Sequence, residues 1–351
     1  MDKFTAFLIL PSLCLAGFLF SCVQGENDNT EDDDEIDDDS LDDDSADDDD
    51  SGDQWDFFGA LLFEPSGYPS PECEDKSPRE GWFADEDYEK YYSSLVSYDI
   101  PKLQEIFGTS LRHACGIGFR LSLAQDETYL DRLADVLDAF QLAHIFPVLI
   151  VFGNDDFGNP VVDLNARATV LDMYERVVQK TAQYLGEAPI YVSYWVDKPE
   201  NTQQGVYDYL AELTVKVHEV CGSCKLFSHV DHFWFEIGYV SGYTLYSISP
   251  TDGVWGYREC WKYSDLDWFG VYWYRRLIAQ FGVENMWGCT EPNPRDPQNV
   301  DLARNGLSSL AEAGVRRWMT WVYRDWDGEN LCLVDKNLNL MPKTEEVYHR
   351  E

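Results

Sequence analysis

Basic residues are scarce in this chain: 26 Lys and Arg stand against 65 Asp and Glu, a net charge of −39 at pH 7. Residues 26–53 hold 18 of the acidic residues and no Lys or Arg; Asp2 and Lys3 cancel, so −21 remains on 54–351. A domain so acidic repels nucleic acid and anionic lipid, which excludes both as charge-driven partners. No Gly-rich phosphate fingerprint follows the first apolar run, and this argues against a nucleotide-binding doubly wound sheet. The acidic segment lacks the Gly that turns a calcium loop. Cys221-Gly-Ser-Cys224 has no second Cys pair or His pair to complete a zinc site, and it follows a predicted helix rather than opening one. No metal or organic cofactor is implied.

The amino-terminal stretch stands apart from the rest. Asp2 and Lys3 precede an apolar run, Phe4 to Phe20, closed by Leu19-Phe20-Ser21-Cys22. The pattern resembles a bacterial lipoprotein signal, in which 1–21 is removed and Cys22 is lipidated as the new terminus. An ordinary secretory signal or an uncleaved anchor is the alternative. Each implies export, with membrane contact in the first case only through lipid on Cys22.

Residues 22–53 are then an acidic tether. Asp-Asp-Asp-Ser recurs at 37–40 and 42–45, a composition that cannot bury enough surface to fold and that self-repulsion keeps extended. Stretched out, the tether reaches roughly 100 Å at about 3.3–3.6 Å per residue. The remaining 54–351 is a normal length for one α/β barrel. Its acidity suits a neutral partner, and polysaccharide is the common neutral polymer outside a cell. A monomer is expected. Export permits disulfides. Seven Cys remain besides Cys14 and Cys22, so at least one is free, and Cys221 with Cys224 is expected to form a local structural disulfide.

The body alternates two hydrophobic periods. Near-continuous apolar runs predict strands at 57–63, 117–123, 145–152, 190–196, 226–230, 268–273, 285–290 and 315–322. Helical stripes lie between them: Leu130, Leu133, Leu137 and Phe140; Val170, Tyr174, Val177 and Leu185; Val206, Leu210, Leu213 and Val217; Val300, Ala303, Leu307 and Leu310. Tyr88, Tyr91, Tyr92 and Leu95 mark an additional helix before the second strand. Eight strands alternating with helices predict an α/β fold, a single (β/α)8 TIM barrel, with an open doubly wound sheet as runner-up. The aromatic stretch 231–264 has no clear period and reads as a large loop or hairpin on the barrel mouth.

Two strand ends pass abruptly from apolar residues to a carboxylate beside proline. They are Tyr194-Trp195-Val196-Asp197-Lys198-Pro199-Glu200 and Trp287-Gly288-Cys289-Thr290-Glu291-Pro292. Carboxylates at the carboxyl ends of different barrel strands converge on one pocket, and two flanking a sugar suit cleavage of a glycosidic bond. Here the chain resembles the clan of retaining (β/α)8 glycoside hydrolases that includes many cellulases, mannanases and xylosidases. The resemblance covers roughly 55–345 and rests on order and strand ends. It implies Glu291 as nucleophile and Arg120, in Gly118-Phe119-Arg120-Leu121, as the guanidinium that bonds it. Tyr272 or Tyr274, at the end of predicted strand six, would touch the nucleophile too. Trp318 and Trp321 on strand eight would offer a sugar platform, with Asp325 lining the pocket and Trp195 and Asp197 beside the fourth strand. Residue by residue there are plainer alternatives: Arg120 pairing with a buried barrel carboxylate, and Trp318 and Trp321 as core.

The departure is Lys198, which stands where the clan has its acid/base Glu. A retaining enzyme needs a proton donor about 5–5.5 Å from the nucleophile, and lysine, charged until pH ~10.4, is a poor acid unless desolvated. Three explanations remain open. Glu200 swings in as donor; another carboxylate serves, such as Asp155, Asp156 or Glu236; or Lys198 pairs with Glu291 and the barrel binds glycans without cutting them. An adhesive lipoprotein without a sugar site is a third class of function.

Overall fold

The computed structural model describes residues 56–69, 82–84, 86–108, 112–185, 189–192, 200–230, 254–257, 275, 278, 283, 286–290, 299–320, 322–324 and 332–349. The signal segment 1–21 and the tether 22–53 lie outside the described residues.

Eight strands follow one another in the sheet in chain order. They are β1 (Phe57–Phe63), β2 (Arg112–Arg120), β3 (Ile145–Phe152), β4 (Pro189–Val192), β5 (Lys225–Val230), β6 (Val254–Tyr257), β7 (Met286–Thr290) and β8 (Arg317–Thr320). Every neighbouring pair is parallel, and Phe57–Ala60 of β1 pair with Arg317–Thr320 of β8, so the sheet closes on itself. Between β1 and β2 run α1 (Tyr88–Ser94), a π-helical turn at Leu95–Asp99, and α2 (Ile100–Phe107). Next come α3 (Glu127–Leu142) after β2, α4 (Leu164–Leu185) after β3, α5 (Gln203–Val220) after β4 and α6 (Val300–Glu312) after β7. The architecture is α/β with a closed parallel sheet; most of the chain that joins β5 to β6 and β6 to β7 lies outside the described residues.

Local chemistry explains where the helices begin. Asp126, Thr202 and Asn299 each accept a backbone N–H of the first turn, from Thr128, Gly205 and Leu302 at 2.9, 3.1 and 3.0 Å. Such caps satisfy donors that the helix itself leaves orphaned, each contributing typically ~1 kcal/mol.

Strand alternation divides the core in two. On β3, Ile145, Leu149 and Val151 face the helices, while Val148 and Ile150 face the barrel axis. The interior set is Leu62, Ala114, Val148, Ile150, Trp287, Met319, Val322 and Cys332. The shell is richer in rings, with Phe63 stacked on Tyr323 at 5.0 Å and edge-on to Phe140 at 5.1 Å. Gly59 permits the closest approach in the sheet: a Cβ there would stand 1.7 Å from the Ala114 carbonyl oxygen of β2.

The sequence-predicted strands hold at 57–63 and 145–152 and shift at the others. The second begins five residues earlier than expected and stops at Arg120, where Leu121–Gln125 tightens into a 3₁₀ turn. Between β5 and β7 the sheet takes up the four-residue Val254–Tyr257, inside the stretch read as a mouth loop; the expected strand at 268–273 lies outside the described residues. The Cys221–Cys224 disulfide forms as expected, at the carboxyl end of α5; Cys115 and Cys332 are buried thiols outside any disulfide.

Candidate active site

Arg120 closes β2 in register with Phe152, which closes β3. It shares the interior-facing side of β2 with Ala114, so its guanidinium emerges at the carboxyl rim of the barrel. The loop after β3 turns back over it. Gly153 takes a positive φ of 71°, and the Asp156 N–H donates to the Gly153 carbonyl at 3.0 Å. The Asp156 carboxylate then accepts from Arg120 Nε at 2.9 Å and Nη2 at 2.5 Å, a two-pronged ion pair.

The rest of this loop is pinned from below. Arg167 of α4, itself buried, donates to the carbonyls of Pro160 and Val161 at 2.7 and 2.8 Å and reaches Glu212 of α5 at 2.8 Å. Asn159 bridges to the segment after β4, donating through Nδ2 to Glu200 Oε1 at 3.1 Å and to Asn201 Oδ1 at 2.8 Å. Beneath, the buried Asn154 accepts the hydroxyls of Tyr174 and Tyr209 at 2.7 and 2.8 Å, tying the loop to α4 and α5. The rims of β2, β3 and β4 thus form one hydrogen-bonded ledge.

A second carboxylate belongs to this rim. Between Ala60 and Phe63, β1 carries one residue more than the matching stretch of β2, a β-bulge. Ala60 and Phe63 both face the shell, whereas Leu62 faces the interior. Strict alternation counted from Ala60 would put Glu64 on the shell side; with the bulge it follows the shell-facing Phe63 and so falls on the interior side. The residue is fully buried. Phe63-Glu64-Pro65 repeats the grammar of the two strand ends singled out above, an apolar run stopping at a carboxylate beside proline. The carboxylate beside proline is legible in the sequence, but the bulge that sets its side of the strand is not.

A third buried anion braces the rim from outside. The Asp99 carboxylate accepts from Ser66 N at 3.0 Å, Ser94 Oγ at 2.8 Å and the Tyr323 hydroxyl at 3.2 Å, linking the loops after β1 and β8 through the helical layer. Burial pushes the Asp99 carboxyl above its ordinary range, against these hydrogen bonds, which pull it down.

The expected site residues fare unequally. Arg120 lies on the barrel rim, paired to Asp156. Glu200 is exposed and held by Asn159, and Asp155 is exposed. Asp156, weighed as a proton donor, has both oxygens engaged by Arg120. Trp318 is corrected: it is fully buried on the shell side, 4.3 Å from the Phe58 ring and 4.7 Å from Tyr348, so no sugar face can stack on it. Trp195, Asp197, Lys198, Glu236, Tyr272, Tyr274, Glu291, Trp321, Asp325 and Cys22 lie outside the described residues. Among the described residues, no three His, Cys, Asp or Glu side chains cluster closely enough to hold a metal ion.

No family model matches the chain, and no curated protein matches it in sequence. Solved structures do. GH5_18 from Streptomyces cattleya, crystallised with GlcNAc, superposes with a TM-score of 0.61 at 11% identity over 84% of this chain and 79% of that one. An exo-β-1,4-mannosidase, Op5Man5 from Opitutaceae bacterium strain TAV5, gives 0.60 at 14% identity over 82% of this chain. A family 39 glycoside hydrolase from Bacteroides cellulosilyticus WH2 gives 0.52 at 12% identity over 83% of this chain and 62% of that one. The fold is glycosidase-like. This chain spans only 57% of the mannosidase's length. The likeness is one of backbone, as identities of 10–14% carry fold and not activity.

Proposed function

We propose that this chain is a surface-tethered glycoside hydrolase, a single (β/α)8 barrel that cleaves O-glycosidic bonds of extracellular polysaccharide or oligosaccharide with retention. The observation that carries the reading is Arg120, a guanidinium braced at the carboxyl rim on the barrel's interior side, in a fold shared with glycoside hydrolases. In this reading Glu291 attacks the anomeric carbon while Glu200 protonates the departing oxygen. Glu200 then takes a proton from the water that releases the sugar. Asp197, Arg120 and Tyr272 or Tyr274 orient the site, and Trp195, Trp321 and Asp325 contact sugar. Sugars of the mannose and N-acetylglucosamine type are the first substrates to try, since solved relatives of the fold bind Manβ1-4GlcNAc and GlcNAc. Lipid on Cys22 and the acidic 22–53 would hold the barrel outside the cell as a monomer.

A second reading has its own support. Glu200 is bonded to Asn159 at the exposed edge and Asp156 is locked to Arg120, so with Lys198 in the acid/base position the barrel would bind glycans without hydrolysis. Turnover of aryl β-glycosides by the wild type and Glu291→Gln tests both. Hydrolysis lost in the variant supports the enzyme, and equal rates in the two remove Glu291. Binding on a glycan array without turnover favours the second reading, and neither activity rejects a sugar site.

A further inference from the structure

The ion pair at the β2–β3 rim has a construction that simple charge pairing does not require. Its two members are unequally exposed: the Arg120 side chain is 44% accessible and that of Asp156 only 11%. The anchored partner is the carboxylate, and the partner that reaches the mouth is the guanidinium. A solvent-facing arginine samples many rotamers, but two parallel N–H···O bonds fix the plane of its fork. Because Asp156 takes the Nε and Nη2 edge, the Nη1 edge is turned away from it.

The loop is shaped around this pair. A Cβ at Gly153 would stand 2.5 Å from Asp156 Oδ2, 2.8 Å from its Cγ and 3.1 Å from Arg120 Cγ. The positive φ there is a second reason for glycine. The space a side chain would fill is where the carboxylate sits. Arg167 and Asn159 then hold the remainder of the loop to α5 and to the segment after β4, so Asp156 rests on a rigid ledge.

We propose that Asp156, seated over Gly153, is a positioning residue that acts through Arg120, fixing the guanidinium plane and balancing its charge while the Nη1 edge serves the nucleophile. The inference rests on the hydrolytic reading above, with Glu291 as that nucleophile. An arginine beside a carboxylate favours its ionised form, and an unbalanced one does so more strongly. A counter-carboxylate on the far edge moderates the field while keeping the geometry.

The test measures kcat, KM and the pH dependence of kcat/KM on an aryl β-glycoside, with the full chain as wild type, Asp156→Asn, Asp156→Glu and Gly153→Ala. Asp156→Asn is expected to lower kcat about 10–100-fold with KM within about 2-fold. It also moves the acidic limb to lower pH, because the Arg120 charge is no longer balanced, and leaves the melting temperature near that of the wild type. Asp156→Glu restores the charge and brings the limb back. Gly153→Ala keeps both charged groups but displaces the carboxylate, and it lowers kcat by a similar factor; this variant decides the matter if Asp156→Asn does not fold. With an active wild type, unchanged kcat in Asp156→Asn and Gly153→Ala overturns the inference alone. So does a loss of kcat with the acidic limb unmoved. A wild type without turnover overturns the hydrolytic reading and this inference together.

Discussion

Lys343 offers the most direct test of the folded core. It precedes the closing helical turn, Thr344–Tyr348, and is 1% exposed. Burial pulls its ammonium from the ordinary 10.5 down to about 7, with the nearby Cys332 acting in the opposite sense. The difference corresponds to about 5 kcal/mol against the charged form, of which about 4 kcal/mol is felt at pH 7. The unfolded chain binds this proton more tightly than the folded one. The contribution to stability is therefore complete above pH 10.5 and is lost as pH falls through about 7. Lys343→Met keeps the length of the side chain and removes the titration. Urea unfolding followed by tryptophan fluorescence should find the variant more stable than the wild type near pH 7, by about 2–4 kcal/mol. The gap should close by about 1.4 kcal/mol for each pH unit towards 10. Tyrosines and thiols titrate in both proteins and cancel in the difference. A gap that stays constant over that range would refute the argument, since the lysine would then carry the same charge in both states.

Other outcomes follow from the same geometry. Gly59→Ala drives a methyl group into the Ala114 carbonyl, which the paired strands cannot yield; a loss of at least ~3 kcal/mol or insoluble expression is expected, and a normal melting curve would contradict the close approach. Asp99→Leu strands three donors at once and should cost about 3–5 kcal/mol in a urea titration. Asp99→Asn, which lacks the carboxyl that burial disfavours when ionised, should gain on the wild type as pH rises above the ordinary 3.8. Glu64→Gln and Glu64→Leu should both keep the fold, judged by circular dichroism, while glycan affinity or turnover falls at least about 10-fold; unchanged activity would make Glu64 a bystander.

How much of this was legible beforehand depended on what kind of signal each part leaves in a sequence. Long amphipathic helices announced themselves: the stripes from Leu130, Val170, Val206 and Val300 are α3, α4, α5 and α6. Strands covered on both faces left apolar runs, clear for β1 and β3 and faint for β6, whose four residues lie in a stretch without a clear period. Arg120 could be found from its place at a strand end, but its partner could not. Asp156 lies 36 residues away and reaches Arg120 only because Gly153 turns the loop, a tertiary fact with no periodicity. Trp318 shows the limit of composition: an aromatic on the last strand suits a sugar platform or a packed shell equally, and only the face it occupies decides, here against Phe58 and Tyr348. Glu64 was hidden by a bulge, since an inserted residue reverses the inside–outside count that any pattern reading assumes.

That inserted residue also sets how the first strand tolerates change. Deleting a single codon between Ala60 and Phe63 would restore a regular ladder and leave Phe63 opposite Ile117. The Phe63 ring would keep Tyr323 and Phe140, and Glu64 would stay on the side it now occupies. The strand should therefore absorb the loss of one leucine here better than a loss from the regular Phe57–Ala60 ladder, which holds no spare position.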